Sequence, residues 1–369
     1  MKATFALGRG RQAILSQHVG DLDDYGAYQA YVAAIKHFER LFAFRPELLV
    51  HDLHPDYAST RYAVERSSFS SRSENGMNSL LVPTRLLAVQ HHHAHMAACM
   101  AEHGLNAPAI GVVFDGTGLG TDGAVWGGEF LVGDYAAVRR AAHLRYVPLV
   151  GGEQAIREPW RMAAAHLLDA GDDLGLLADR VPAAALDTVE RMIVRRINSP
   201  PTSSVGRLFD AVAVLAGGTV IMEGNRRASY EAQAALELEW QASRIETSDT
   251  YPFELVASAG SLPWIVDTRP LISAIAKQVR SGYAVDVIGR QFHGTLVEIV
   301  AQVCGRLREQ TGIERVVLSG GAFLNALLLA GTHERLSRDG FRAYRHRRVP
   351  PNDGGLSLGQ LAVAAAQCG

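Results

Sequence analysis

Lysine is almost missing from this sequence. Only Lys2, Lys36 and Lys277 occur in 369 residues, so arginine carries nearly all the positive charge. No GxxxxGK run occurs, and a phosphate site must therefore use backbone N–H groups, arginine or a metal rather than a P-loop lysine. Cysteine is scarce too. Cys99, Cys304 and Cys368 lie far apart and form neither a CxxC pair nor a disulfide framework, which points to a reducing cytosol. Charge of one sign is not in excess: the formal net charge is -2, which leaves no electrostatic footprint for nucleic acid or an anionic membrane. No apolar run approaches the ~20 residues of a membrane span, and no signal peptide opens the chain. These absences predict a soluble cytoplasmic protein with no nucleic-acid and no membrane partner. What is present is apolar bulk. A 48% hydrophobic content over this length buries a large core and suggests two lobes or domains.

Periodicity places the elements. Residues 4–7 and 12–16 flank Gly8-Arg9-Gly10-Arg11 and predict a β-hairpin. Tyr28, Tyr31, Ile35, Phe38 and Phe42 recur at helical spacing after the capping residues Asp23 and Asp24, and that helix should stop before Pro46. A short buried strand at 48–50 leads into a polar turn at 51–56, and 67–78 reads as an exposed or mobile loop. A strand at 86–89 feeds a helix through Ala101. Strands at 110–114 and 124–132 flank a glycine-rich turn. Helices are expected near 158–170, 184–198, 206–216, 228–243 and 285–310. A strand at 316–319 runs into a helix at 321–337, and a small-residue helix follows from 356. Hairpin strands followed by helices occur twice, which predicts an α/β protein of two similar lobes around a cleft.

The chemistry concentrates in four places. Residues 91–95 read His-His-His-Ala-His, and on a helix His91 and His95 share one face, with Cβ atoms about 5–6 Å apart. No acidic residue lies between them as in a zinc protease, and no cysteine accompanies them as in a structural zinc site. His92, His93, His103, His143 and His166 receive no role. Residues 115–123 read Asp-Gly-Thr-Gly-Leu-Gly-Thr-Asp-Gly. The literal GxGxxG within them should open a helix in a dinucleotide fold, but a strand follows. Such a turn, with Thr117 and Gly118, can instead aim N–H groups at a phosphate, while Asp115 at the preceding strand end holds a metal. Gly320 and Gly321 again take a strand into a helix, with Asn325 one turn in, where free N–H groups suit anions and nucleotide edges. Asp353 precedes the last helix; taken alone it reads as an N-cap. Two histidines with carboxylates and open positions suit ferrous iron best, with zinc the alternative.

Taken together, these segments resemble the HypF carbamoyltransferases. The resemblance includes Ser16–Asp21, His51-Asp52-Leu53-His54-Pro55-Asp56-Tyr57, and the stretches 90–95, 115–128, 151–161, 318–325 and 350–359. It covers essentially the whole chain and extends to TsaD, the tRNA threonylcarbamoyl transferase, and to antibiotic O-carbamoyltransferases. It implies a two-lobed fold of the actin/hexokinase/Hsp70 (ASKHA) type with a nucleotide cleft between lobes, the first formed by 1–107 and completed by 356–369, the second by 108–355. It also implies that His91, His95, Asp115 and Asp353 hold the metal. Asp210, Glu231, Gly320, Gly321 and Asn325, with Thr117 and Gly118, would contact ATP or carbamoyl adenylate, with Mg2+ as a further ion. The implied reaction is carbamoyl transfer to the C-terminal cysteine of HypE in [NiFe] hydrogenase maturation. Small-molecule O-carbamoylation, tRNA threonylcarbamoylation and a non-catalytic scaffold are the rivals. His54 is the candidate thiol base against a structural turn role, and Cys368 reads as helix end rather than acceptor. Ala3 and Ala232 stand where the family usually has Asn and Gly. The acylphosphatase, zinc-finger and YrdC-like modules of full-length HypF have no counterpart here, so the chain is expected to be a short form or a fragment, with carbamoyl phosphate hydrolysis and adenylation lacking or supplied by another protein, such as a YrdC-type partner in trans.

Overall fold

The computed structural model describes residues 3–69, 84–217, 227–257 and 263–368. Its centre is a mixed nine-stranded sheet. Ala109–Leu119 and Val125–Gly133 pair antiparallel at its middle, with Arg315–Ser319 parallel to the former and Val138–Leu144 antiparallel to the latter. Apolar residues on both faces of these strands, Ile110, Val112, Phe114 and Val316 on one and Val113 and Val317 on the other, are fully buried because helices cover both sides. One side carries Trp160–Asp169, Val205–Ala216 and Val285–Thr311 around the main core.

Against the other side lies the histidine helix, His91–Glu102, and nearly all of it is buried. Its periodicity explains how. Met96, Cys99 and Met100 pack on Val113, Leu131 and Val317 of the sheet, while Ala94 and Ala97 face Val363 of the C-terminal helix, Leu356–Cys368. That leaves a third stripe, holding His91 and His95. The two helices touch so closely that a Cβ on Gly359 would stand 1.7 Å from the Ala94 carbonyl oxygen.

The N-terminal part is smaller. It has a separate hairpin, Ala6–Arg9 with Gln12–Leu15, and a two-stranded parallel sheet, Leu48–Asp52 with Arg85–Val89. The Tyr25–Leu41 helix covers the hairpin through Tyr31 and Ile35. The two halves are therefore unequal, where the sequence pattern suggests similar lobes.

Most expected elements are present, with instructive differences. Asp24 caps the first helix by accepting from Ala27 N. The 48–50 strand extends to Asp52 and is only half-buried up to there. A helix at Ala58–Phe69 takes the start of the expected loop, and residues 70–78 of that loop lie outside the described residues. The strand before the glycine-rich turn does not stop at 114. It runs to Leu119 through a register shift between Phe114 and Gly118, so the Asp-Gly-Thr-Gly segment is bulged strand, not hairpin loop. The 321–337 helix is interrupted: Gly321–Leu324 is a 3-10 turn, and Asn325 caps a new helix, Ala326–Arg338. The helix expected from 228 begins at Gln233, after Ala232 at φ +60. No described helix is long and apolar enough to cross a membrane.

Candidate metal centre and its cleft

Three junctions bring four side chains together. Gln90 starts the histidine helix by accepting from His93 N, which sets His91 at the first turn and His95 one turn later. Asp115 sits at the bulge of the central strand, and Gly321 N donates to its Oδ1 at 3.0 Å. Asp353 opens the 3-10 turn Asp353–Gly355. It is not that turn's cap; Asn352 fills that role by accepting from Gly354 N. The Asp353 side chain is thus left for the cluster.

The Nε2 atoms of His91 and His95 each lie 3.3 Å from Asp115 Oδ2 and 3.6 Å from Asp353 Oδ1. One ligand atom from each of the four residues can be chosen so that all lie within 4.8 Å of one another. Donors about 2 Å from a shared ion are separated by about 3–4 Å. The chemistry of the set fits as well as its spacing. His95 Nε2 is buried and makes no hydrogen bond despite the nearby carboxylate, so the pair has the distance but not the direction for a shared proton. A cation placed among the four would satisfy it.

Charge points the same way. Burial works against a charged His91, but the Asp52 charge and bonds to Asp115, Asp353 and Asp52 outweigh it and hold its pKa well above the ordinary value. Burial likewise opposes ionised Asp115 and Asp353, yet His91 and His95 keep both carboxyls well below their usual range. Sites that hold protons this way attract cations.

Asp52 had no assigned role in the sequence beyond its place in a motif. It ends the strand paired with Arg85–Val89, in register with Val89, and so lies beside the start of the histidine helix. Its Oδ2 is 2.7 Å from His91 Nδ1, and its Oδ1 accepts from His54 N. With Nδ1–H donated to Asp52, His91 turns Nε2 to the cluster, where a cation that displaced its proton would meet the lone pair. Tyr57 was also missed. Burial raises its phenol pKa, His91 opposes this, and Asp52, Asp353 and Asp115 add to it, so the hydroxyl feels the whole cluster.

An open cavity of about 1420 Å³ adjoins the centre. His54, His91, Thr117, Gly118, Glu231 and Asp353 line it, as does Tyr57. His54 stacks on Tyr57 at 4.3 Å between ring centroids, and its Nδ1 accepts from Asp56 N, so both a turn role and exposure to the cavity are realised. Gly118 allows the strand to pass under the rings; a Cβ there would stand 2.8 Å from His91 Cδ2 and 2.6 Å from His92 Cε1.

Asp210, Gly320, Gly321 and Asn325 are not part of the cavity wall. Asp210 is buried 2.9 Å from Arg207 Nε, in poor alignment for a hydrogen bond; burial pushes its pKa up to about 6 against the pull of Arg207. Gly320 N donates to Pro351 O. Asn325 Oδ1 accepts from Leu328 N, and its Nδ2 bonds His293 Nε2. Among the histidines given no role, His93, His103 and His143 reach the backbone oxygens of Asp134, Arg345 and Leu144, and His92, His93, His143 and His166 are buried.

Residues 1–102 match the family model of the HypF Kae1-like domain, and residues 111–360 match that of the carbamoyltransferase Kae1-like domain, second subdomain. The chain belongs to the HypF carbamoyltransferase family. Carbamoyltransferase HypF2 of Cupriavidus necator is 40% identical over 98% of this chain and 45% of its own length. A shorter HypF homolog from the same organism is 36% identical over 100% of this chain and 90% of its own. Full-length HypF, crystallised in a phosphate- and nucleotide-bound form, superposes with a TM-score of 0.87 at 38% identity, over 98% of this chain and 45% of that one. The fold is therefore that of HypF's Kae1-like, ASKHA-type domain, and the chain spans under half of full-length HypF.

Proposed function

We propose that this protein is a carbamoyltransferase of [NiFe] hydrogenase maturation, moving carbamoyl from carbamoyl adenylate to the C-terminal cysteine of HypE. The observation that carries the reading is the convergence of His91, His95, Asp115 and Asp353, two of which, His91 and Asp353, line the cavity. Those residues would hold a divalent ion, for which ferrous iron suits the donor set best and zinc is the alternative. Bound there, it supplies Lewis acidity to a carbonyl oxygen.

The chain's own residues do the rest. Asp52 orients His91 and keeps its Nε2 facing inward. Gly321 N fixes the Asp115 carboxylate. Thr117, Gly118 and Glu231 line the cavity where an adenylate would lie, with magnesium as a further ion. Tyr57 and His54 form its wall beside the cluster. His54 is the group placed to take the acceptor thiol's proton. Asp210, Gly320, Gly321 and Asn325 would contact the nucleotide, as their match to the family's motifs implies. Small-molecule pockets hold about 300–1000 Å³, so this larger space has room for both an adenylate and the end of an acceptor chain.

We read the molecule as two lobes, 1–107 with 356–369 and 108–355, in a cytosolic protein. Packing of Leu356–Cys368 on the hairpin and the Leu48–Asp52 strand supports that division. A YrdC-type protein would provide the adenylate in trans.

The test combines the protein with HypE, ATP, carbamoyl phosphate and a YrdC-type partner, omitting each in turn. Mass spectrometry of the HypE C-terminal peptide should show a carbamoyl adduct that needs this chain. An adduct formed equally without it, or none in the complete mixture, contradicts the reading.

A further inference from the structure

At the far end of the histidine helix, Glu102 closes a second buried constellation. Its Oε2 is 3.0 Å from His346 Nδ1, and His346 Nε2 is 2.9 Å from Ser319 Oγ. Its Oε1 accepts from Arg347 N at 2.7 Å and Arg348 N at 2.5 Å. The Glu102 and His346 side chains are 4% and 3% exposed. Ser, His and Glu in this order resemble a hydrolytic triad. Ser319 is 0% exposed, however, and does not border the cavity, so no substrate reaches it and a nucleophilic role fails.

Connectivity gives the arrangement another meaning. Glu102 is the last residue of the helix that carries His91 and His95. Residues 346–348 begin the segment that delivers Asp353. Ser319 ends the strand before Gly320 and Gly321, whose N–H groups bond Pro351 O and Asp115 Oδ1 respectively. The three chain segments that supply or orient the metal ligands are thus tied together at this buried knot, which the proposed reaction does not use. His346 is neutral, burial having lowered its pKa to about 4 despite Glu102, so its Nδ1–H donates to Glu102 and its Nε2 accepts from Ser319.

We infer that Glu102, acting through His346 and the Arg347 and Arg348 amides, is a positioning residue that sets Asp353 at the distance the histidines need. This rests on the metal reading of His91, His95, Asp115 and Asp353. Glu102→Ala leaves three donors without their acceptor and loosens the 346–348 end of the segment that leads to Asp353. Glu102→Gln can keep both amides on Oε1 while its Nε2 faces His346 Nδ1; the ring then takes its other tautomer and donates to Ser319.

The experiment measures zinc affinity of the whole chain by chelator competition, for the wild type, His95→Ala, Glu102→Ala, Glu102→Gln and Glu102→Asp, with folding checked by circular dichroism. Loss of an outer-shell partner costs about 10–100-fold in metal affinity. Glu102→Ala should therefore bind about tenfold more weakly, and Glu102→Gln should recover to within about threefold of wild type. Equal affinity of folded Glu102→Ala and wild type, or no recovery with Gln, overturns the inference. If Glu102→Ala does not fold, Glu102→Asp, too short to hold all three donors, carries the test. It should lose at least about threefold, and unchanged affinity overturns the inference. Wild type and His95→Ala binding alike would instead sink the metal reading itself.

Discussion

Asp52 Oδ2 and His91 Nδ1 stand 2.7 Å apart with both side chains almost fully buried, and this pair decides which ring nitrogen faces the cluster. An asparagine there can present its amide to Nδ1 and drive the proton onto Nε2, the ligating atom. Asp52→Asn should weaken divalent-metal binding by about 10–100-fold, read by chelator competition. Unchanged affinity would mean that His91 needs no partner.

The close crossing of Gly359 and Ala94 makes a stability prediction. A methyl group on Gly359 meets the Ala94 carbonyl oxygen at 1.7 Å, so the histidine helix and the C-terminal helix must separate. Gly359→Ala should cost about 1–3 kcal/mol in urea denaturation and weaken metal binding with it, since Ala94 lies between His91 and His95. A variant as stable as wild type would show that the two helices can slide apart freely.

Asp210 gives a pH dependence of definite sign. Burial raises its folded pKa to about 6 from the ordinary carboxylate value of 3.8, so the native state holds the proton more tightly. Its stabilising contribution is full below pH ~4 and is lost as the pH rises through about 6. Asp210→Asn removes this titration. Measured against wild type, the stability of the variant should rise by roughly 2–3 kcal/mol between pH 4 and pH 7, and the constant effect on Arg207 cancels in that difference. A pH-independent difference in urea unfolding would contradict it.

Asn325 uses its amide at both ends inside the protein. Its Oδ1 caps the Ala326–Arg338 helix, and its Nδ2 donates to His293, whose Nδ1–H is engaged with Gly289 O. Asn325→Ala should destabilise the fold by about 1–2 kcal/mol, measured by thermal or urea unfolding. A variant as stable as wild type would contradict this structural role.

Local patterns made much of this molecule legible. The i, i+4 histidines, the glycine-rich segment after a buried strand and the final Asn-Asp-Gly-Gly all lie where chemistry converges. The spacing of Tyr31, Ile35 and Phe38 marked the first helix and its packing face. What sequence could not show depends on distant partners. Asp52 acquires its meaning from pairing with the Arg85–Val89 strand, which sets it beside His91. The strand through Asp115 to Leu119 looked like a turn, because Gly116 and Gly118 alternating with Asp115 and Thr117 imitate one; pairing with Trp126 and Val125 keeps it extended. Strands Val138–Leu144 and Arg342–Arg345 carry arginines and lack a clean alternation, so neighbouring strands, not propensity, define them. Asp210 reads from its local pattern as a surface charge, whereas nearly the whole Val205–Ala216 helix is buried.

The most direct test of the centre is equilibrium dialysis against ferrous iron under argon, comparing wild type with the His91→Ala/His95→Ala double variant. Wild type should retain one ion per chain and the folded double variant none. Equal retention by both, or no retention by wild type, would contradict it.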